Sequence, residues 1–213
     1  MKIGVLGTGV VGEAIATKLI ELGHDVMMGS RTKTNEKAMA WAEKHGGKAG
    51  DYTAAAAHGE ILLNCTKGDG SLAALKQAGA MRLKGKVLID IANALSFIDG
   101  QLSLSVVNTD SLAETIQRTY PAVKVVKALN TMNCAVMVDP ARVPGMHTVF
   151  LCGNDRDARL DVAELLKSFG WQDIIDLGDL TAARGMEMVL PIWLKLTRAV
   201  GTTDFNFAIN RKA

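Results

Sequence analysis

The stretch from Met1 to Gly12 constrains the fold of this chain more than any other segment. Met1-Lys2-Ile3-Gly4-Val5-Leu6 has the character of a buried strand and runs straight into Gly7-Thr8-Gly9-Val10-Val11-Gly12, which opens a helix. Ile15, Leu19, Ile20 and Leu22 continue an apolar helical face as far as Gly23, and Asp25-Val26-Met27-Met28-Gly29 reads as a second strand. In such a unit each glycine has its own steric role. Gly7 permits the tight turn, Gly9 lets the backbone approach an anion, and Gly12 lets the helix pack on the strand. The free N–H groups at the helix N-terminus favour phosphate, so the expected ligand is a dinucleotide bound through its pyrophosphate.

The residues after the second strand narrow the choice of dinucleotide. An NAD site usually carries a carboxylate there, which accepts from the ribose hydroxyls. This chain has Ser30-Arg31-Thr32-Lys33 instead. Arg31 offers charge-assisted bonds to a 2′-phosphate, Ser30 and Thr32 offer hydroxyls, and Lys33 adds a second cation, so NADP is the expected coenzyme.

Bulk properties exclude several classes. With 24 basic and 22 acidic residues the net charge is +2, which argues against a polybasic nucleic-acid surface, and no nucleic-acid partner is expected. Cys65, Cys134 and Cys152 are odd in number, far apart and outside any metal-ligand spacing, so neither a disulfide framework nor a metal site is expected. The first strand begins at once, leaving no room for a signal peptide, and the apolar stretch at 186–196 is broken by Glu187, Pro191 and Lys195. The expected setting is cytoplasmic, without a membrane partner.

Strand-like and helix-like segments alternate, the pattern of a parallel sheet covered on both faces. Helices are expected at Asn35–His45, Tyr52–His58 and Ser71–Ala80, and strands at Lys48–Gly50, Glu60–Cys65, Lys86–Ile91 and Lys124–Leu129. Thr66, Asn93 and Asn130-Thr131-Met132 then fall at the carboxyl edge, where open α/β sheets bind ligands. Further on, Thr148–Gly153 reads as a strand, a helix capped by Asn154 or Asp155 reaches Phe169, and Trp171–Leu177 is another strand. One long helix is expected from Asp179 to about Val200, apolar enough to pack on the sheet or meet a partner subunit, and a terminal strand at Phe205–Ile209. The fold class is therefore α/β, a Rossmann-type doubly wound parallel sheet with a small C-terminal α/β extension. Residues 1–150 would bind NADP, and 151–213 would line the acceptor site and supply a homodimer contact.

Catalytic constellations are missing. Tyr120 and Lys124 have the spacing of a dehydrogenase proton-transfer pair, but Pro121 and the valines that follow make a turn entering a strand, which separates the two side chains. His24, His45 and His58 lie away from the ligand edge, and His147 falls in a loop. Carbonyl reduction needs a proton donor beside the hydride, whereas hydride transfer to a flavin-like ring needs mainly the alignment of two flat systems.

Several stretches resemble the family of coenzyme F420-dependent NADP oxidoreductases, which are deazaflavin enzymes, and the related cytoplasmic domain of the STEAP metalloreductases. They are Lys2 to Gly12, Gly29-Ser30-Arg31, Lys127-Ala128-Leu129-Asn130-Thr131, Val149 to Asp155, and Asp176-Leu177-Gly178-Asp179-Leu180 with Ala183-Arg184. The resemblance implies NADPH held by Thr8, Gly9, Val10, Val11, Ser30 and Arg31, and an electron-accepting ring near Asn130, Thr131, Met132 and the region Arg184 to Met188. Asn130 stands where the deazaflavin enzymes are expected to carry histidine, and the metalloreductases resemble this chain in having asparagine. The expected activity is hydride transfer between NADP(H) and a small-molecule acceptor, a flavin or deazaflavin. Thr66, Asn93 and Ala135 would flank the nicotinamide, and Met132 and Met186 would border the acceptor. Two readings remain beside it: reduction of a small imine or hydroxy acid, and a non-catalytic NADPH-sensing module.

Overall fold

The computed structural model describes residues 1–98 and 101–212. The first unit is β1 (Lys2–Leu6), α1 (Val10–Glu21), β2 (Asp25–Ser30), α2 (Glu36–His45), β3 (Lys48–Asp51) and α3 (Tyr52–His58). Then come β4 (Ile61–Asn64), α4 (Gly68–Ala78), α5 (Ala80–Leu83), β5 (Val87–Asp90), the hairpin β6 (Leu95–Ile98) and β7 (Gln101–Leu104), α6 (Leu112–Thr119) and β8 (Lys124–Ala128). The remainder is α7 (Cys134–Val138), β9 (Thr148–Gly153), α8 (Arg156–Ser168), β10 (Asp173–Asp176), α9 (Ala183–Met188) and α10 (Leu190–Val200), with 3-10 turns at Pro140–Arg142 and Leu180–Ala182.

Eight strands form one sheet in the order β10-β9-β8-β5-β4-β1-β2-β3. The run from β3 to β8 is parallel throughout. β9 reverses against β8, with Ala128 opposite Leu151, and β10 lies parallel to β9. Chain order turns round between β1 and β4, and in an open α/β sheet that switch point is where a ligand crevice forms.

Alternation along the strands explains the two-faced core. Val87 and Ile89 point to one side with Ile3, Val5, Leu63 and Val126, where α1, α2, α7 and α8 pack. Leu88 points to the other with Leu62 and Val125, under α3, α4, α6 and α9. Asn35, Asp51, Ser111 and Asp155 cap α2, α3, α6 and α8, each accepting from a backbone N–H in the first turn.

Three expectations are corrected. The helix expected over Ser71–Ala80 starts earlier, at Gly68, and is divided at Gly79 into α4 and α5. The single helix from Asp179 to Val200 is instead a 3-10 turn and two helices, α9 and α10, meeting at Val189. Pro191 lies in the first turn of α10, where its missing N–H costs nothing; deep inside one continuous helix it would delete a bond. The terminal strand at Phe205–Ile209 is not formed. β8 pairs only with Leu151–Gly153 of β9, and the tail lies beside the start of β9 with a single backbone bond to it, the Thr148 N–H donating to the Phe207 carbonyl at 2.8 Å.

Candidate dinucleotide and acceptor site

Two cavities lie along the carboxyl edge of the parallel strands and share Cys65, Thr66, Lys67 and Asp69 as a common wall. The outer one, about 690 Å³, is bordered by Gly7, Thr8, Gly9, Arg31, Lys37 and Tyr52. The inner one, about 650 Å³, is bordered by Val10, Val11, Asn93, Met132, Cys134 and Trp193. A dinucleotide has two unlike ends, and this crevice offers unlike surroundings to each.

The turn between β1 and α1 has the geometry a pyrophosphate needs. Gly7 has φ +126°, and a Cβ there would sit 2.6 Å from the Cys65 carbonyl oxygen. A Cβ on Gly12 would sit 2.2 Å from the Gly7 carbonyl oxygen, so only glycine lets α1 approach the turn this closely. Among the described residues, nothing lies within 4 Å of the Cβ position of Gly9, and no side chain caps the α1 N-terminus. The residues therefore fit a dinucleotide: open space meets a free helix end.

At the outer end, Arg31 is exposed and borders the cavity, with its carbonyl accepting from Gln77 Nε2 at 2.8 Å. Neither Arg31 nor Lys37 forms an ion pair among the described residues. Ser30 is buried and engaged locally: its hydroxyl donates to the Thr32 carbonyl and accepts from the Thr32 N–H at 3.3 Å. Thr32 and Lys33 are exposed and do not border either cavity. Lys37, in the first turn of α2, is an addition to the expected set; a lysine one turn beyond a basic loop is the signal that could have found it.

At the inner end the wall rests on a buried polar network. The Thr66 hydroxyl donates to Asn64 Oδ1 at 2.7 Å, and Asn64 Nδ2 donates to Asp90 Oδ1 at 2.7 Å. Asp90 Oδ2 meets Lys127 Nζ at 2.8 Å, and Glu187 Oε1 lies 3.1 Å from the same ammonium. Lys127 is 0% exposed. Burial alone would pull its pKa down, but the two carboxylates override this and hold it above the ordinary lysine value. Lys127 also donates to the carbonyl of Ala92, and Glu187 accepts from the N–H groups of Leu112 and Ala113 at 2.9 and 3.2 Å. The first turn of α6 thus solvates a buried carboxylate from α9.

Leu129, buried, takes φ +64° just after β8 and turns the chain into Asn130. Asn130 Nδ2 donates to Asn93 Oδ1 at 3.0 Å and to the Met186 carbonyl at 2.9 Å, while Asn93 Nδ2 donates to the Asn130 carbonyl at 3.0 Å. Asn93 and Met132 border the inner cavity; Asn130, Thr131 and Met186 are buried behind it. Met186 belongs to the second core, its sulfur 3.6 Å from that of Cys152. Ala135 is half-buried and borders neither cavity, although its neighbours Asn133 and Cys134 border the inner one. Trp193, together with Leu95 and Ser96 of β6 and Ser105 just beyond β7, joins the site without having been expected there. The sequence signal for the hairpin is the dipeptide Asp99-Gly100 between two short runs; Trp193 carries none, since a tryptophan in an apolar helix reads as core.

The titratable side chains bordering the inner cavity are Cys65, Lys67, Asp69 and Cys134. Among the described residues no histidine, tyrosine or arginine borders it. Burial pushes the Cys65 thiol far up, and burial pushes Cys152 up to about 12, so neither is a thiolate near neutrality. Among the described residues no cluster of metal-ligating side chains occurs, and no helix is long and apolar enough to cross a membrane.

The strand order, the glycine turn and the two-part crevice define a Rossmann-type dinucleotide-binding protein. Comparison with known proteins gives the family. Residues 2–94 match the model of the coenzyme F420-dependent NADP oxidoreductases. A crystal structure from Arthrobacter sp. FB24, of a protein assigned as an F420-dependent NADP-reductase, superposes with a TM-score of 0.95 at 51% identity, covering 99% of this chain and 100% of that one. The F420-dependent NADP reductase of Methanocaldococcus jannaschii is 27% identical, with 92% of each chain covered. The metalloreductase STEAP3 of Rattus norvegicus is 29% identical over 90% of this chain, which spans only 38% of that protein. The chain belongs to the family of coenzyme F420-dependent NADP oxidoreductases, and it is an NADP-dependent oxidoreductase.

Proposed function

We propose that this protein transfers a hydride between NADP(H) and a flavin or deazaflavin ring seated in the inner cavity. One observation carries the reading: a cation-fringed cavity shares a single wall with a mainly apolar cavity that, among the described residues, has no histidine or tyrosine proton donor. Bound NADPH supplies a hydride from its nicotinamide, whose C–H electron pair reduces the acceptor ring while the nucleotide becomes NADP⁺. The protein's part is alignment and exclusion of water.

In this reading the N–H groups of Gly9, Val10 and Val11 hold the pyrophosphate, with Gly7, Thr8 and Gly12 shaping the turn. Arg31 and Lys37 bind the 2′-phosphate; Ser30 and Thr32 shape that loop through their mutual bonds, and Lys33 adds positive field. Thr66, Asn93 and the Asn133 to Ala135 turn flank the nicotinamide. Asn130 and Met186 act through Asn93, which they hold in place, and Met132 borders the acceptor directly. Residues 1–150 thus carry the nucleotide site, while 151–213 wall the acceptor side. Exposed Met188, Ile192 and Val200 support a homodimer contact on the last two helices, which sedimentation at two concentrations reads directly.

The test is consumption of NADPH and of NADH with riboflavin, FMN, a deazaflavin, a ferric chelate and a cyclic imine as separate acceptors. The expected result is NADPH oxidation with a ring acceptor and much slower use of NADH. Turnover with the imine alone moves the assignment to imine reduction. NADPH binding without turnover against any acceptor makes the protein a sensor of the nucleotide.

A further inference from the structure

The indole N–H of Trp193 is buried without a partner among the described residues, and Trp193 borders the inner cavity. The other two tryptophans show what this fold does with such groups. Trp41 Nε1 donates to Thr17 Oγ1 at 3.0 Å, and Trp171 Nε1 donates to the Met137 carbonyl at 3.0 Å. A buried donor left unpaired is unfavourable, so a small slide of the indole in its own plane, which keeps its stacking partner and opens the N–H to the cavity the ring borders, is repaid when a ligand supplies an acceptor.

The ring is also held firmly from behind. Trp193 stacks on Phe205 with ring centroids 5.5 Å apart and planes 24° from parallel. Phe205 lies in the tail, which is fastened to the body on both sides of it. Asp204 pairs with Arg142 at 2.8 Å, Asn206 Nδ2 donates to the Thr148 carbonyl at 2.9 Å, and Arg211 pairs with Asp173 at 2.8 Å. Val10, Val11, Ile91 and Met132 line the same cavity and give it apolar surface suited to flat rings.

We propose that Trp193 is the specificity-determining residue on the acceptor side, donating its indole N–H to a ring carbonyl of a planar heteroaromatic acceptor. The selected class is a fused ring system carrying a carbonyl on its edge, as the pyrimidinedione of a flavin or deazaflavin does; planar acceptors lacking that carbonyl gain nothing from the residue. This rests on the function proposed above and adds the group that chooses the acceptor.

Trp193→Phe keeps an aromatic plane against Phe205 and removes only the donor. Two measurements separate this inference from the underlying function. The first is binding of FMN to NADP⁺-saturated protein, followed by quenching of tryptophan emission and, independently, by calorimetry. Wild type is expected to bind and quench, and Trp193→Phe to bind FMN about tenfold more weakly, the value of one neutral hydrogen bond, with NADPH affinity changed less than about twofold. The second compares turnover with FMN and with a phenazine, a planar acceptor without a ring carbonyl. The FMN KM is expected to rise in Trp193→Phe while the phenazine KM stays put. Equal shifts for both acceptors, or no shift for either, overturn the assignment. If wild-type protein binds FMN without reducing it, the functional reading fails while the binding comparison still decides the role of Trp193. Thermal unfolding of both proteins, and of Phe205→Leu, which leaves the indole N–H but removes its backing, identifies any loss due to misfolding alone.

Discussion

Arg31 and Lys127 are both cations, and the structure gives them opposite roles. Arg31 stands in solvent at the mouth of the outer cavity with no carboxylate paired to it among the described residues, so its binding energy is available to a phosphate. Arg31→Ala is expected to weaken NADPH by about 1–3 kcal/mol and NADH hardly at all, because only the 2′-phosphate is lost as a partner. Calorimetric titration with both nucleotides checks this; equal losses would remove Arg31 from the phosphate site. Lys127 is sealed between Asp90 and Glu187, and its removal leaves two carboxylates buried together. Lys127→Met is expected to cost about 3–5 kcal/mol of stability, read by urea unfolding. The glycine pattern and Arg31 are legible in the sequence because steric and charge requirements there act over a few adjacent residues. Lys127 reads only as part of a strand: a lysine's burial depends on carboxylates 37 and 60 positions away, and no local pattern encodes that.

At the scale of elements, α9 is the piece that joins the nucleotide edge to the second core. Glu187 docks on the α6 N-terminus, the Met186 carbonyl accepts from Asn130, and Arg184 Nη2 and Nε lie 2.6 and 2.9 Å from the Glu114 carboxylate. The Arg184 guanidinium, aided by the Ser111 hydroxyl, holds the Glu114 carboxyl below its ordinary pKa. A depressed folded-state pKa contributes stability above the ordinary carboxylate range, and that contribution disappears as pH falls through the folded value. Thermal melting across the acid range is expected to show this loss, and Glu114→Gln is expected to melt lower at neutral pH with a flatter acid limb; parallel curves for the two proteins would exclude the pair as a source of acid sensitivity. Helices with long periodic faces and good caps, such as α2 and α8, are legible, as is α1 behind its glycine turn. α7, at five residues, is too short to show a period, and the join at Val189 depends on where Pro191 can be tolerated.

The whole molecule is governed by the reversal at β9. Six strands deliver their carboxyl ends to the ligand edge, but β9 and β10 run the other way, so the chain leaves β10 at the far edge and must climb back through α9 before α10 can wall the inner cavity. The alternation of elements makes a Rossmann-type sheet legible; the direction of β9 is not, because parallel and antiparallel neighbours bury the same residues. The tail imitates a strand for a related reason, since Phe205, Phe207 and Ile209 alternate correctly yet the tail lies beside the start of β9, not along either edge strand of the sheet. Ending the chain after Thr203 is expected to lower the melting temperature by roughly 2–8 °C, as for about 1–2 kcal/mol in a domain of this size, and to abolish flavin binding while sparing NADPH. Retained flavin affinity in the shortened protein would show that the tail does not support the acceptor side. The wall shared by the two cavities has one more consequence. On the proposed function, coenzyme preference resides in Arg31 and Lys37 and acceptor preference in a helix more than 150 positions later, and the two cavities meet only at a short common partition. Descendants of such a scaffold can therefore exchange one preference without disturbing the other, and an engineer can retune nucleotide choice and electron destination as independent traits.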